Sequence, residues 1–343
     1  MEENFIKIYH WLYPLSWLYG IGVCLRNKLF DWGWLRSKSF DVPVICVGNL
    51  AVGGTGKTPH TEYLIKLLQK NGVNVATLSR GYKRKSRGYV LADDKSNVRQ
   101  IGDEPYQIKN KFPNARVAVD ENRCHGIEQL LKLGNPTVEA IILDDAFQHR
   151  HVKAGLNILL TDFHRLLCDD ALLPAGRLRE PSSGKNRAQM VIVTKCPDDI
   201  KPIDFNIIAK RLHLYPYQQL YFSRFRYGML TPLFPEKTNS WEVLSSLTGD
   251  EQVLLVTGIA SPAFLLSSSS SDILKRILSI FCSSSIFTVI SKGGQLITSF
   301  CSGSLSSISI IQPPRDVLSV SIVSSGSPVL SRKSDTESSA DAS

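Results

Sequence analysis

Val47-Gly48-Asn49-Leu50-Ala51-Val52-Gly53-Gly54-Thr55-Gly56-Lys57-Thr58-Pro59 is the stretch that decides the fold of this chain. The apolar run 42–47 that leads into it reads as a buried strand, and residues 62–69 read as a helix. Strand, glycine loop, Gly-Lys-Thr and helix make the layout of a phosphate-binding P-loop. Gly53, Gly54, Thr55 and Gly56 let backbone N–H groups turn inward on a polyphosphate, and the helix N-terminus adds partial positive charge. Lys57 is placed to reach the β- and γ-phosphates, and Thr58 to offer its hydroxyl to Mg²⁺. The strict pattern asks for glycine where this chain has Ala51. A plain glycine-rich turn is the alternative, but strand context and Gly-Lys-Thr coincide here.

Composition narrows the setting. The chain has 343 residues, enough for two domains with real cores. Its net charge of +9 suits an anionic partner: nucleic acid, an anionic membrane face or a phosphorylated substrate. No zinc-finger, homeodomain or RNA-recognition signature accompanies the charge, so no nucleic-acid partner is expected. The seven cysteines are scattered without C-x-x-C or metal spacing, which fits a reducing compartment rather than a disulfide framework. The N-terminal region, residues 1–38, has no clear cleavage site and no unbroken apolar run long enough to span a bilayer. It is rich in Trp and Tyr (Trp11, Tyr13, Trp17, Tyr19, Trp32, Trp34), with Arg26 and Lys28 nearby. That mixture suits a helix lying on a membrane face. A helix packed on the protein's own core is the other reading.

Apolar runs at 73–78, 115–119, 140–143, 156–161 and 190–194 alternate with helical patterns. The alternation predicts β-α-β units and a parallel sheet with helices on both faces. Ligands of such sheets sit at the C-terminal strand ends. The P-loop, Arg80, Asp103, Arg123 and Asp144-Asp145 all fall at or beyond those ends.

Several of these carry chemistry. Ile141-Ile142-Leu143-Asp144-Asp145 is an apolar strand ending in two carboxylates, of which one is expected to hold Mg²⁺ directly or through water. In Phe147-Gln148-His149, His149 either supports the site by hydrogen bonds or caps the turn. Gly102-Asp103-Glu104-Pro105 sets two acids at a helix start, where they act as dipole caps or where Asp103 serves as general base toward a substrate hydroxyl. Leu173-Pro174-Ala175-Gly176-Arg177-Leu178-Arg179-Glu180-Pro181 offers arginine forks for a transferring phosphoryl group and Glu180 as a further metal ligand. The basic loop 80–87 is read as a contact for anionic phosphate on lipid or nucleotide, Arg80 being its best-placed member.

Together these motifs resemble the tetraacyldisaccharide 4'-kinase family. The resemblance rests on the loop 47–59, Ser79-Arg80-Gly81-Tyr82, Gly102-Asp103-Glu104-Pro105, Asp144-Asp145 through Gln148-His149, and 173–180, in family order and spacing. It covers roughly residues 5–266 and accounts for Ala51, because the family loop lacks the distant first glycine. Pro14-Leu15-Ser16-Trp17-Leu18-Tyr19-Gly20 looks like the family's membrane-facing helix.

The resemblance implies ATP and Mg²⁺ as cofactors and a lipid A disaccharide precursor as substrate. The implied place is the cytoplasmic face of the bacterial inner membrane, held peripherally, with no obligate protein partner. It implies Lys57 on the phosphates; Thr58, Asp144, Asp145 and Glu180 around Mg²⁺; Asp103 as base; and Arg123 and Arg179 as phosphate or transition-state contacts. A non-catalytic P-loop switch, or an ATPase acting on a membrane partner, is the rival class. The implied fold is α/β, a P-loop NTPase-like parallel sheet with helices on both faces plus a second, smaller α/β domain. The expected division is 1–38, membrane-associating region; 39–188, kinase domain; 189–266, a truncated second domain; and 267–343, an aberrant tail.

One departure stands out. Thr257-Gly258-Ile259-Ala260-Ser261-Pro262 is present, but the histidine-bearing segment that follows it in the family is not, and His213 is the last histidine. Beyond residue 266 the chain becomes serine-rich. The tail is either a genuine divergence or the product of a frame shift, and the abrupt change favours the second.

Overall fold

The computed structural model describes residues 8–197 and 199–225, together with two further strands, Leu254–Thr257 and Ile286–Val289. Eight strands form one sheet: β1 (Val44–Asn49), β2 (Val75–Ser79), β3 (Val90–Leu91), β4 (Arg116–Val119), β5 (Ala140–Asp144), β6 (Leu156–Asp162), β7 (Met190–Thr194) and β8 (Gln219–Phe222). Their order is β3-β4-β2-β5-β1-β6-β7-β8, with every pairing parallel except β3 on β4.

The strand sequences dictate this burial. Ala140–Asp144 (AIILD) is buried throughout, as a strand covered on both faces must be. Side chains alternate between faces: Ile141 and Leu143 join one core with Leu78 and Leu159, while Ile142 joins the other with Val117 and Leu160. Ile127 and Leu130 of α5 (Arg123–Leu131) and Ile208 and Leu212 of α6 (Pro202–Leu212) close the first face. Ile65 of α2 (Lys57–Lys70) and Ile108 of α4 (Asp103–Lys111) close the second, beside the short α3 (Val98–Ile101). Helices on both faces are as the alternating pattern predicts.

The chain leaves β1 for β2 and returns to place β5 between them, with Val47 in register with Asp144. The P-loop after β1 and the carboxylates at the end of β5 are therefore neighbours. Such a crossing point is where open α/β sheets bind ligands.

The boundary expected at residue 189 does not coincide with a break in the sheet. Met190 pairs with Ile158, and Gln219 with Met190, so β7 and β8 extend the P-loop sheet. Their apolar runs (MVIVT, QLYF) supply the next two core strands. Residues 226–266 of the expected second domain and the tail 267–343 lie outside the described residues, apart from the two further strands, β9 (Leu254–Thr257) and β10 (Ile286–Val289), which pair antiparallel.

The N-terminal helix α1 (Tyr13–Asp31) packs through Ser16, Gly20 and Phe30. Ser16 Oγ donates to the Leu172 carbonyl at 3.1 Å and accepts from the Ala175 amide at 3.0 Å. A Cβ on Gly20 would come 2.9 Å from Leu172 Cδ1, so close approach there requires glycine or a shift of Leu172. The opposite side leaves Trp11, Leu15, Trp17, Leu18, Ile21 and Leu25 exposed, Trp17 by 69%. Among the described residues no helix is long and apolar enough to cross a membrane.

Candidate active site

Gly56 opens α2 in the left-handed region, φ +81°, a conformation only glycine adopts without strain. A Cβ there would also lie 2.7 Å from Phe225 Cζ. Asn49 Nδ2 donates to Thr55 Oγ1 at 2.8 Å, and Thr194 Oγ1 donates to the Thr55 carbonyl at 3.0 Å. Gln148 Nε2 donates to the Asn49 carbonyl at 2.6 Å. The loop is thus pinned from β1, β7 and the turn after β5 before any phosphate arrives.

The 173–180 segment runs antiparallel against this loop. The Val52 amide donates to the Arg177 carbonyl and the Arg179 amide to the Leu50 carbonyl, both at 2.7 Å. That pairing carries Arg179 to Asp145, whose carboxylate oxygens both lie 3.3 Å from Nη1. Asp145 itself adopts φ +49° and also faces Lys57 Nζ at 3.6 Å. A non-glycine residue in this region is uncommon and recurs at functional sites.

Asp144 is fully enclosed and accepts from Thr61 Oγ1 at 3.2 Å. Burial, then the carboxylates of Glu104 and Asp145, push its carboxyl up to about 7. Glu104 is raised too, mainly by burial, while Lys57 pulls the other way. Thr58 Oγ1 donates to Glu104 at 3.4 Å. The carboxylates of Glu104, Asp144 and Asp145 thus lie in one another's field near Lys57 and Thr58. This donor set fits Mg²⁺, which binds through one or two carboxylates, a hydroxyl, waters and phosphate oxygens. No ready-made cage of three His, Cys, Asp or Glu side chains occurs among the described residues.

Arg123 is buried, 3% exposed, at the start of α5. Its Nη1 donates to the Asp120 carbonyl at 2.5 Å, but Nε is enclosed without a partner. Burial lowers it to about 10 against the opposing pull of Asp144, and the like charge of Arg80 adds to the lowering. A buried guanidinium with an unspent donor is prepared for an anion. His149 lies in the same field: burial, then Arg123, hold it down to about 4, and its Nε2 has no partner. Its backbone amide also closes the turn onto Ala146.

The structure therefore gathers Lys57, Thr58, Asp144, Asp145, Arg123 and Arg179 at the C-terminal ends of the strands. Asp103 opens α4 on its exposed side, next to Glu104. Glu180 differs in its pairing: it is buried, bound to Arg187 Nη2 at 2.5 Å and near Arg26 at 3.8 Å. Its Oε1 remains without a hydrogen bond. Residues that pattern reasoning overlooked are Glu104, Thr61, Gln148 and Arg26. Glu104 was visible beside Asp103, but only the fold shows which acid turns toward Thr58.

The sequence pattern of the tetraacyldisaccharide-1-P 4'-kinase family matches residues 8–272. The chain belongs to that family. It is 72% identical over 263 residues to a tetraacyldisaccharide 4'-kinase from Bacteroides fragilis, covering 76% of this chain and 70% of the relative. A Porphyromonas gingivalis protein of the same name is 54% identical over 258 residues, covering 75% and 70%. Among solved structures, LpxK from Aquifex aeolicus in complex with ATP is similar, with TM-score 0.55 and 37% identity, over 64% of this chain and 66% of that one. The family match ends close to where the serine-rich tail begins.

Proposed function

We propose that this chain transfers the γ-phosphoryl group of ATP to the 4'-hydroxyl of tetraacyldisaccharide 1-phosphate, giving lipid IVA. The observation that carries this is the convergence of Lys57, Thr58, Asp145 and Arg179 between the ends of β1 and β5. Family membership and the ATP held by the similar structure support it.

The P-loop N–H groups and Lys57 grip the β- and γ-phosphates. Arg179 and Arg123 spread charge stabilisation over the transferring group. Asp103 accepts the 4'-hydroxyl proton as the oxygen attacks phosphorus; the bond to the β–γ bridging oxygen breaks and ADP leaves. Thr58 and Asp145, backed by Asp144, would hold Mg²⁺, which would supply charge neutralisation on the phosphate oxygens. Glu180 acts on this site by fixing Arg187 and Arg26 or, once the metal is bound, as an outer ligand.

The exposed Trp/Leu/Ile side of α1 lies peripherally on the cytoplasmic face of the inner membrane, where the acyl chains of the acceptor are held. The rival, a nucleotide switch or ATPase, has no use for an acid placed to deprotonate an alcohol. Incubation with γ-labelled ATP tests the choice. Label in the lipid disaccharide supports the kinase, and label released only to water supports the rival.

A further inference from the structure

Helix α1 also grips the two segments that carry the site. Tyr19 Oη donates to the Arg179 carbonyl at 2.7 Å. About two helical turns further on, Arg26 Nη2 donates to the Gln148 carbonyl at 2.8 Å. Arg26 Nη1 lies 3.8 Å from Glu180 Oε1, the oxygen of that buried carboxylate left without a hydrogen bond. The helix that makes these contacts is clamped at both ends. Ser16 is bonded to Leu172 and Ala175. Arg150 Nη1 donates to the Asn27 carbonyl at 2.7 Å, and the ring of buried Phe30 lies 5.4 Å and 5.0 Å from the Arg26 and Arg150 guanidinium carbons.

Each gripped residue is thereby held from two sides. The Arg179 amide donates to the Leu50 carbonyl in the P-loop, and its carbonyl accepts from Tyr19. Gln148 Nε2 donates to the Asn49 carbonyl at the end of β1, and its own carbonyl accepts from Arg26. Neither Arg179 nor Gln148 lies in a helix or strand whose ladder would fix it. These bonds therefore set where the Arg179 guanidinium and the entrance to the P-loop stand. Rate falls steeply when such a group is displaced by about 1 Å. A lipid contact would ask for the opposite orientation. Trp17, Leu18 and Ile21 are exposed, whereas Tyr19 Oη and both Arg26 Nη atoms turn onto the protein.

We propose that Tyr19 and Arg26 are positioning residues of the phosphoryl transfer. Tyr19 sets the reach of Arg179 through its backbone, and Arg26 sets Asn49 and the P-loop through Gln148. The inference rests on the kinase reading above. It makes α1 a structural part of the catalytic site, separately from any contact its outer face makes with lipid.

Tyr19→Phe removes the hydroxyl and keeps the ring. Its kcat for transfer to the lipid acceptor should fall by about 3–10-fold, and that of Arg26→Gln by about 10–100-fold. The KM for the acceptor and flotation on anionic liposomes should stay as in the unaltered protein. An unchanged kcat overturns the proposal, and a raised acceptor KM or lost flotation in its place assigns the pair to lipid seating. A general folding defect would lower kcat in any background, so double variants decide. In Arg179→Ala, adding Tyr19→Phe should change kcat by no more than about twofold, and so should adding Arg26→Gln to Gln148→Ala. Losses that simply multiply overturn the proposal. Should the unaltered protein transfer no phosphate to the lipid, the kinase reading fails, and nucleotide binding decides separately. Affinity for ADP with aluminium fluoride, a mimic of the transferring phosphoryl group, is compared with affinity for ADP alone. Weakening of the first only, in both variants, supports the positioning role; any other result overturns it.

Discussion

Arg179 Nη1 lies 3.3 Å from both carboxylate oxygens of Asp145. This contact joins the 173–180 segment to the end of β5 across the P-loop. Asp145 meets Lys57 from the other side at 3.6 Å, so one carboxylate orients two cations aimed at the phosphates. Removing Lys57 as Lys57→Ala takes charge from the transition state rather than volume from the core. Turnover should fall by about 10²–10³, some 3–4 kcal/mol in the barrier, with an unchanged circular dichroism spectrum. Turnover within twofold of the unaltered protein would remove Lys57 from the mechanism.

Asp144 gives a pH-dependent prediction. Its folded carboxyl sits at about 7, well above the ordinary 3.8, because the site is buried and shared with Glu104 and Asp145. The sign follows from linkage. The native state holds this proton more tightly than the unfolded chain, so the contribution is present below pH 4 and is lost as pH rises through about 7. Without metal or nucleotide, Asp144→Asn should raise the melting temperature by several degrees at pH 8 and much less at pH 5. Each kcal/mol is worth about 2–4 °C in a domain of this size. Melting curves in EDTA at both pH values check it, and equal shifts at both would contradict it.

Gly48 offers a test of how closely β1 and the turn after β5 must approach. A Cβ at this position would meet Phe147 Cβ at 2.6 Å. Neither group is the free end of a flexible side chain, so Gly48→Ala forces β1 and the turn after β5 apart. A loss of about 1–3 kcal/mol is expected, together with weaker ATP binding as Asn49 and Gln148 lose register. Denaturant unfolding measures the first and nucleotide titration the second.

The outer face of α1 should hold the protein on lipid. Trp17, Leu18 and Ile21 are largely exposed, while Ser16 and Gly20 on the same helix pack against the 172–175 segment. Replacing Trp17, Leu18 and Ile21 by serine should abolish flotation on anionic liposomes without disturbing the fold. Flotation equal to that of the unaltered protein would make this face irrelevant to lipid.

Much of the site was legible because its motifs are local. Strand, glycine loop and Gly-Lys-Thr are contiguous, and five Val/Ile/Leu-rich runs announced the parallel strands almost to the residue. Asp144-Asp145 was legible because a buried strand that ends in acids is costly without a ligand. What the sequence did not reveal lies in long-range pairing. Nothing local to Glu104 shows it turning to Thr58 while Asp103 faces outward. The bonds from Arg26 to the Gln148 carbonyl and from Tyr19 to the Arg179 carbonyl join residues more than a hundred positions apart. The edge strand β3 has only two residues, too short for a period to register. Apolar runs such as β7 and β8 look the same in sequence whether they open a new sheet or, as here, extend the one before. For the tail, we propose a frame shift near residue 266. Reading the gene in the other two frames there should uncover a histidine-bearing segment, and its absence from both would make the tail genuine.

The most direct measurement of the central claim is steady-state transfer of phosphate to the lipid acceptor by Asp103→Asn. The account predicts a fall in kcat of about 10²–10⁴, the range for losing a general base, with ATP affinity retained. A kcat within a few-fold of the unaltered protein would contradict it, and would leave the acid at the start of α4 as a helix cap.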